Sequence, residues 1–187
     1  HNVNFDNNTI QNGGIPPSSS TLTYGTHNSG LYGQAAYSNP NTGKLEYFVQ
    51  IRNLVANGTT NSTIIPIFFT ADGLPMPNGR VDVPAYLFVN GIPMVVPHPI
   101  HAHLSYVLIS FDGGLFSFTV DMRLNQGKGD IVATEKMVQV LPRGCLYASK
   151  MTISRACDGY WLIVKRSDVI GFSSLKIDAQ GIHNQAV

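Results

Sequence analysis

Charge is what this sequence has least of. Asp, Glu, Lys and Arg make up 12% of its 187 residues, about half of the roughly 25% usual in soluble domains. Twelve basic against eleven acidic side chains leave a net charge of +1. With no basic block, the counterion release that anchors proteins to nucleic acid has nothing to act on, and nucleic acid is not an expected partner. Long apolar runs are absent too. The best candidates are broken by Pro66, Pro93, Pro97 and Pro99 well short of the roughly 18 residues a membrane helix needs, so membrane insertion is not expected. No stretch sustains a 3.6-residue apolar period with caps, which predicts little helix. Cysteine is limited to Cys145 and Cys157, and neither sits in a CxxC pair, which removes zinc-finger and thioredoxin readings. There is no Gly-x-Ser-x-Gly elbow, and Gly127-Lys-Gly-Asp130 lacks the strand-to-helix context of a phosphate loop. No catalytic residue and no cofactor are expected.

Apolar residues nevertheless make up 43% of the chain, enough for one core, and Asn, Ser, Thr and Gly carry the polarity. Short stretches rich in Val, Ile, Phe, Tyr or Thr read as strands at 45–51, 63–70, 84–90, 104–111, 115–122, 131–140, 147–155 and 160–166. Turn chemistry separates them: Asn-Pro-Asn-Thr-Gly at 39–43, Asn57-Gly58, Ala71-Asp-Gly73, Pro77-Asn-Gly79, Asn90-Gly91, Asp112-Gly-Gly114 and Asp158-Gly159. Residues 105–120 form one expected hairpin with Asp112–Gly114 at its tip. An aromatic strand, then a Gly-containing turn, then another aromatic or apolar strand recurs at Asn41–Val49, at Tyr106–Val120 and at Asp158–Val164 continuing into Gly171–Asp178. The expected fold is therefore all-β, as propeller-like antiparallel blades or a partial propeller, with a β-sandwich as the alternative. Blades of about 40–45 residues would number roughly four. Residues 1–30, rich in Asn, Gly, Ser and Pro, read as an extended arm, and 31–187 as a single all-β domain.

Three sequons, at Asn7, Asn57 and Asn61, suggest export and glycosylation, the last two sharing one polar loop. A chain opening on His1, without Met or leader, fits a secreted protein after processing. In that setting Cys145 and Cys157 are expected to form a disulfide, two free thiols being the alternative. His98, His101 and His103 form the candidate metal site, since His101 and His103 share a face if extended. His1 adds the idea of a copper brace with His101 or His103, although nothing else in the chain resembles copper-dependent polysaccharide monooxygenases. Tyr160 and Trp161 are candidate sugar-stacking rings, with the proviso that strand neighbours alternate faces. Asp72, Asp112, Asp121, Asp130 and Asp158 lie at turns and read as turn formers rather than paired acids.

The stretch Thr119-Val-Asp-Met-Arg-Leu-Asn-Gln-Gly-Lys-Gly-Asp-Ile131, then Lys150–Val164 with Asp158-Gly-Tyr-Trp161, then Ile177-Asp-Ala-Gln-Gly-Ile182, resembles the propeller-like N-terminal region of large secreted Bacteroidota proteins. These proteins are of the gliding-motility and type IX secretion-associated kind. Looser similarities run in order upstream, at Asn4-Phe-Asp6, Thr42–Phe48, Phe69–Gly79 and Val95–Pro99. The resemblance implies blades, an extracellular or cell-surface location and no catalytic residues. Family members continue into further blades, which implies an open strand edge here. The expected function is a non-catalytic assembly module, a self-assembling fibre subunit that pairs with copies of itself by strand edges. The alternatives are a carbohydrate- or adhesin-type binding module with glycan partners, and a metal-dependent secreted enzyme using the histidines.

Overall fold

Turn chemistry decides the topology of this chain, because each short turn returns the strand beside the one before it. The structure, a computed structural model, describes residues 31–55, 62–81, 83, 92–166 and 170–185. The arm 1–30, with His1 and Asn7, the loop carrying Asn57 and Asn61, and the strand expected at 84–90 lie outside the described residues. Sheet A is the meander β1 (Leu31–Ser38), β2 (Leu45–Val55), β3 (Ser62–Thr70) and β4 (Pro75–Arg80), hydrogen-bonded in that order. Sheet B follows with β5 (Met94–Pro97), β6 (Leu104–Phe111) and β7 (Gly114–Asp121), closed by β8 (Asp130–Ile131) and β9 (Val138–Leu141). Sheet C is β10 (Leu146–Ala156), β11 (Gly159–Arg166), β12 (Phe172–Asp178) and β13 (Gly181–Gln185). The all-β expectation holds, with three antiparallel sheets among the described residues.

The 105–120 hairpin forms as expected. Phe111 pairs with Gly114, and Asp112 and Gly113 both take positive φ, 49° and 69°, which is the two-residue turn that suits strand twist. At 39–43 the Asn39 side chain accepts from the backbone N–H groups of Asn41 and Thr42, closing the turn locally. Other boundaries differ. The stretch 131–140 is not one strand: Ala133–Glu135 is a 3-10 turn and Met137 has φ +60°, so the chain leaves the sheet and returns. Both β8 and β9 pair with β7, at its two ends, so together they form one interrupted outer strand. Pro75–Arg80, with its turn-like Pro77-Asn-Gly79, is an edge strand, the position where a residue without an N–H is tolerated.

Burial arranges the sheets in layers. Tyr47, Val49, Ile51 and Phe68 of sheet A pack with Val107, Ile109, Phe116 and Phe118 of sheet B. On the other face of sheet B, Tyr106, Leu108, Leu115 and Leu141 pack with Leu162, Val164, Leu175 and Ile177 of sheet C. Sheet B is thus the middle layer, and alternation along its strands feeds both cores. Contacts join β1 to β5 and β4 to β8, so sheets A and B lie first strand beside first and last beside last. Polar ties reinforce this pair: Tyr47 Oη and Ser105 Oγ are 2.7 Å apart and buried, and Asp130 accepts from both the backbone N–H and the side-chain amide of Asn78 at 2.9 Å. The outer face of sheet A carries a separate buried cluster of Ile65, Ile67 and Phe69 with Phe48.

Candidate functional site

In an antiparallel meander the first and third connections leave from the same end. The turns of sheets A and B at 39–44, 71–74, 98–103 and 122–129 accordingly meet around a cleft of about 530 Å³. Asn39, Glu46, Asp72, His103, Arg123 and Lys128 are among its lining side chains. Lys128 Nζ lies 2.8 Å from Asp72, joining the two sheets across the cleft and holding the Asp72 carboxyl below its usual range. Arg123 grips Asp121 with Nε and Nη2, and Asp121 also accepts from the Arg123 backbone N–H at 2.9 Å, which lowers its pKa. Glu46 Oε1 accepts from the Asn39 amide at 2.8 Å, while Oε2 is buried without a partner. A smaller cleft of about 270 Å³ lies between Pro99 and Ile100 of sheet B and the Cys157–Asp158 turn of sheet C.

Between these clefts stand the three histidines, and the structure does bring them together. Ring centroids are 4.8 Å apart for His98 and His101 and 5.6 Å for His101 and His103. His98 is nevertheless a turn-former. Its Nδ1 accepts from the backbone N–H groups of Ile100 and His101 at 3.3 and 3.2 Å, so Nε2 carries the proton and no lone pair is left for a metal. Burial, then the neighbouring His101 and His103, hold its pKa below the usual imidazole value, against a smaller opposing pull from Glu135. Among the described residues no group of three or more His, Cys, Asp or Glu side chains is placed to hold a metal ion. The three-histidine metal site is corrected to a hydrogen-bonded turn whose rings lie tilted against one another. The brace idea falls on His1, outside the described residues.

The disulfide expectation is also corrected, because Cys145 and Cys157 are both free. They flank β10, an 11-residue strand. β10 pairs with β11 from Leu146–Arg166 to Ala156–Gly159 with a bulge between Leu146 and Met151, so at about 3.3 Å per residue of β11 its ends lie roughly 23 Å apart, against Cα distances of about 4.4–6.8 Å in a disulfide. Cys157 is exposed in a two-residue turn, since Ala156 pairs with Gly159. Gly159 belongs there because a Cβ would lie 2.0 Å from the Ile177 carbonyl oxygen.

Tyr160 and Trp161 point to opposite faces of sheet C. Tyr160 packs on the core shared with sheet B, whereas Trp161, level with Ser154 and Lys176, faces outward. They do not form one stacking platform. The acidic turn-formers behave as expected at Asp121, while Asp130 ties two sheets and Asp158 pairs with Lys176. Asp178, not singled out from sequence, accepts from the Gln180 backbone and from His183, and both lower its pKa. Nothing in the sequence marks Asn39, Glu46, Arg123 and Lys128 as lining one cleft, because they come from separate turns and, for Glu46, from β2.

Comparison with family models, curated proteins and solved structures finds no match for this chain. Among the described residues no helix is long and apolar enough to cross a membrane.

Proposed function

We propose that this chain is a non-catalytic module of a secreted or cell-surface protein, built of propeller-like blades, whose role is assembly and surface contact. One observation carries the reading: sheet B is covered on both faces by sheets of the same meander design. A two-layer sandwich leaves every sheet one free face, whereas consecutive blades enclose each inner sheet. The ionisable groups favour a structural role as well. Asp72, Asp121, Asp130, Asp158 and Asp178 are each engaged in a turn or a tie between elements. The order of the motifs in the resemblance to secreted Bacteroidota proteins points the same way.

The test uses the natural source cells, treated intact with an amine-reactive cross-linker that does not enter them. The expected result is recovery of the chain in covalent species with itself or another surface protein. Recovery only inside the cells overturns the reading, as does turnover of a substrate that a single-residue change abolishes.

A further inference from the structure

The three sheets repeat one feature that only two of them satisfy. The third residue of each second strand is aromatic: Tyr47 in β2, Tyr106 in β6 and Trp161 in β11. The fifth is aliphatic: Val49, Leu108 and Ile163. In sheet A this pair is buried against sheet B, and in sheet B it is buried against sheet C. In sheet C the equivalent pair, Trp161 and Ile163, is half-buried and belongs to neither core cluster. Register places Phe172 beside them through Lys165, and Phe172 is 71% exposed.

From this we infer that the outer face of sheet C is an interface for the same face of a second copy of the chain, giving a closed two-fold dimer. The inference rests on the assembly reading above and names its partner. Continuity with the existing interfaces says that a sheet belongs there. The other end of the stack cannot supply one, because Ile65, Ile67 and Phe69 on the outer face of sheet A are already buried. Four strands at about 4.8 Å spacing and some seven residues at about 3.3 Å make a face of roughly 450 Å² per copy, and roughly 900 Å² per pair is the size of a weak, concentration-dependent dimer. A face that pairs with itself closes at two copies and does not grow. It differs from the filament expected from strand edges, which would grow through outermost strands such as β10 and β13 and would exceed two copies.

Trp161 is the only tryptophan in the sequence, so its fluorescence reads this face without a label. The experiment takes the full chain over about three decades of concentration upward from about 1 µM, measuring mass by light scattering and acrylamide quenching of Trp161. The expected result is a rise from one to two copies, with quenching falling at least two-fold over the same range. Ile163→Lys and Phe172→Lys should each keep the far-UV spectrum of the parent, stay at one copy and keep Trp161 quenchable. A single-copy mass throughout overturns the inference, and so does doubling with unchanged quenching or growth beyond two copies. A single-copy mass would leave assembly with other surface proteins, read by the cross-linking, standing.

Discussion

Along β7 every residue from Gly114 to Asp121 is buried, whereas along β11 burial is complete only at Leu162 and Val164. The two strands occupy neighbouring sheets of the same design, so the difference lies in what covers them. β7 presents Phe116, Phe118 and Val120 to sheet A and Leu115, Ser117 and Thr119 toward sheet C, and both sets are inside. β11 shows the one-sided alternation of a sheet with a single covered face. Cover, more than strand propensity, therefore sets how much each side chain contributes to stability.

The largest expected effect tests that contrast directly. Phe118 is fully buried between Phe68 and Phe111, with ring centroids 5.5 and 6.3 Å away. Phe118→Ala should cost about 3–5 kcal/mol, and Ile163→Ala on the uncovered face below about 1 kcal/mol at concentrations where the chain is single. Urea denaturation with a shared m-value checks both. Equal losses would erase the distinction between the sheets.

A finer version compares equivalent positions. The Tyr47 phenol is buried, its pKa pushed far above the ordinary value, and it shares a hydrogen bond with Ser105. Tyr47→Phe leaves the Ser105 hydroxyl buried without that partner and should cost about 1–2 kcal/mol. Trp161→Phe, at the matching place in sheet C, should cost under about 0.5 kcal/mol in the single chain. If the second change proves the more damaging, the two positions are not equivalent.

The joint between sheets B and C provides a pH test. His98 has a lowered pKa in the folded chain, so folding favours its neutral form. Its stabilising contribution is complete above the unfolded imidazole value of about 6.5 and is lost as pH falls through the lower folded value. The groups facing it are His101, His103, Tyr106 and Glu135, with Asp121 and its partner Arg123 beyond His103. His98→Asn keeps an acceptor for the Ile100 and His101 N–H groups but cannot be protonated. Between pH 7 and 5 the parent should lose more melting temperature than this variant. Parallel slopes would remove His98 from the account.

Much of this architecture was legible in the sequence, for physical reasons visible at particular residues. The 104–121 hairpin announces itself because β-branched and aromatic residues flank Asp112-Gly113, a turn few other residue pairs can make. Pro75–Arg80 was not legible as a strand, since Pro, Asn and Gly mark edge strands and turns alike. The break at 132–137 rests on a left-handed Met137, which no composition rule signals. The site was harder still. Its cleft joins turns more than 50 residues apart, as the Lys128–Asp72 pair shows. The spacing of the histidines was visible, but their chemistry depends on Nδ1 of His98 meeting two backbone donors. The cysteines are the instructive case: reading 147–155 as a strand already placed them at opposite ends of it, and the expectation of a disulfide overlooked that consequence.

The smallest expected effect is none at all, and it probes whether sheet C is a sheet along its whole first strand. A disulfide closing the Cys145–Cys157 loop would stabilise the fold by on the order of 2–3 kcal/mol. Its reduction would lower the melting temperature by several degrees. With β10 paired to β11 from Met151–Val164 to Ala156–Gly159, the thiols stay far apart and a reductant should leave the melting temperature unchanged. Thiol titration of the denatured, unreduced chain should find two. In the folded chain the exposed Cys157 should react faster with a maleimide than the half-buried Cys145. A reductant-dependent drop would mean that the chain between the cysteines doubles back. β10 would then be broken, and the outward face of Trp161 would lose the strand that places Ser154 beside it.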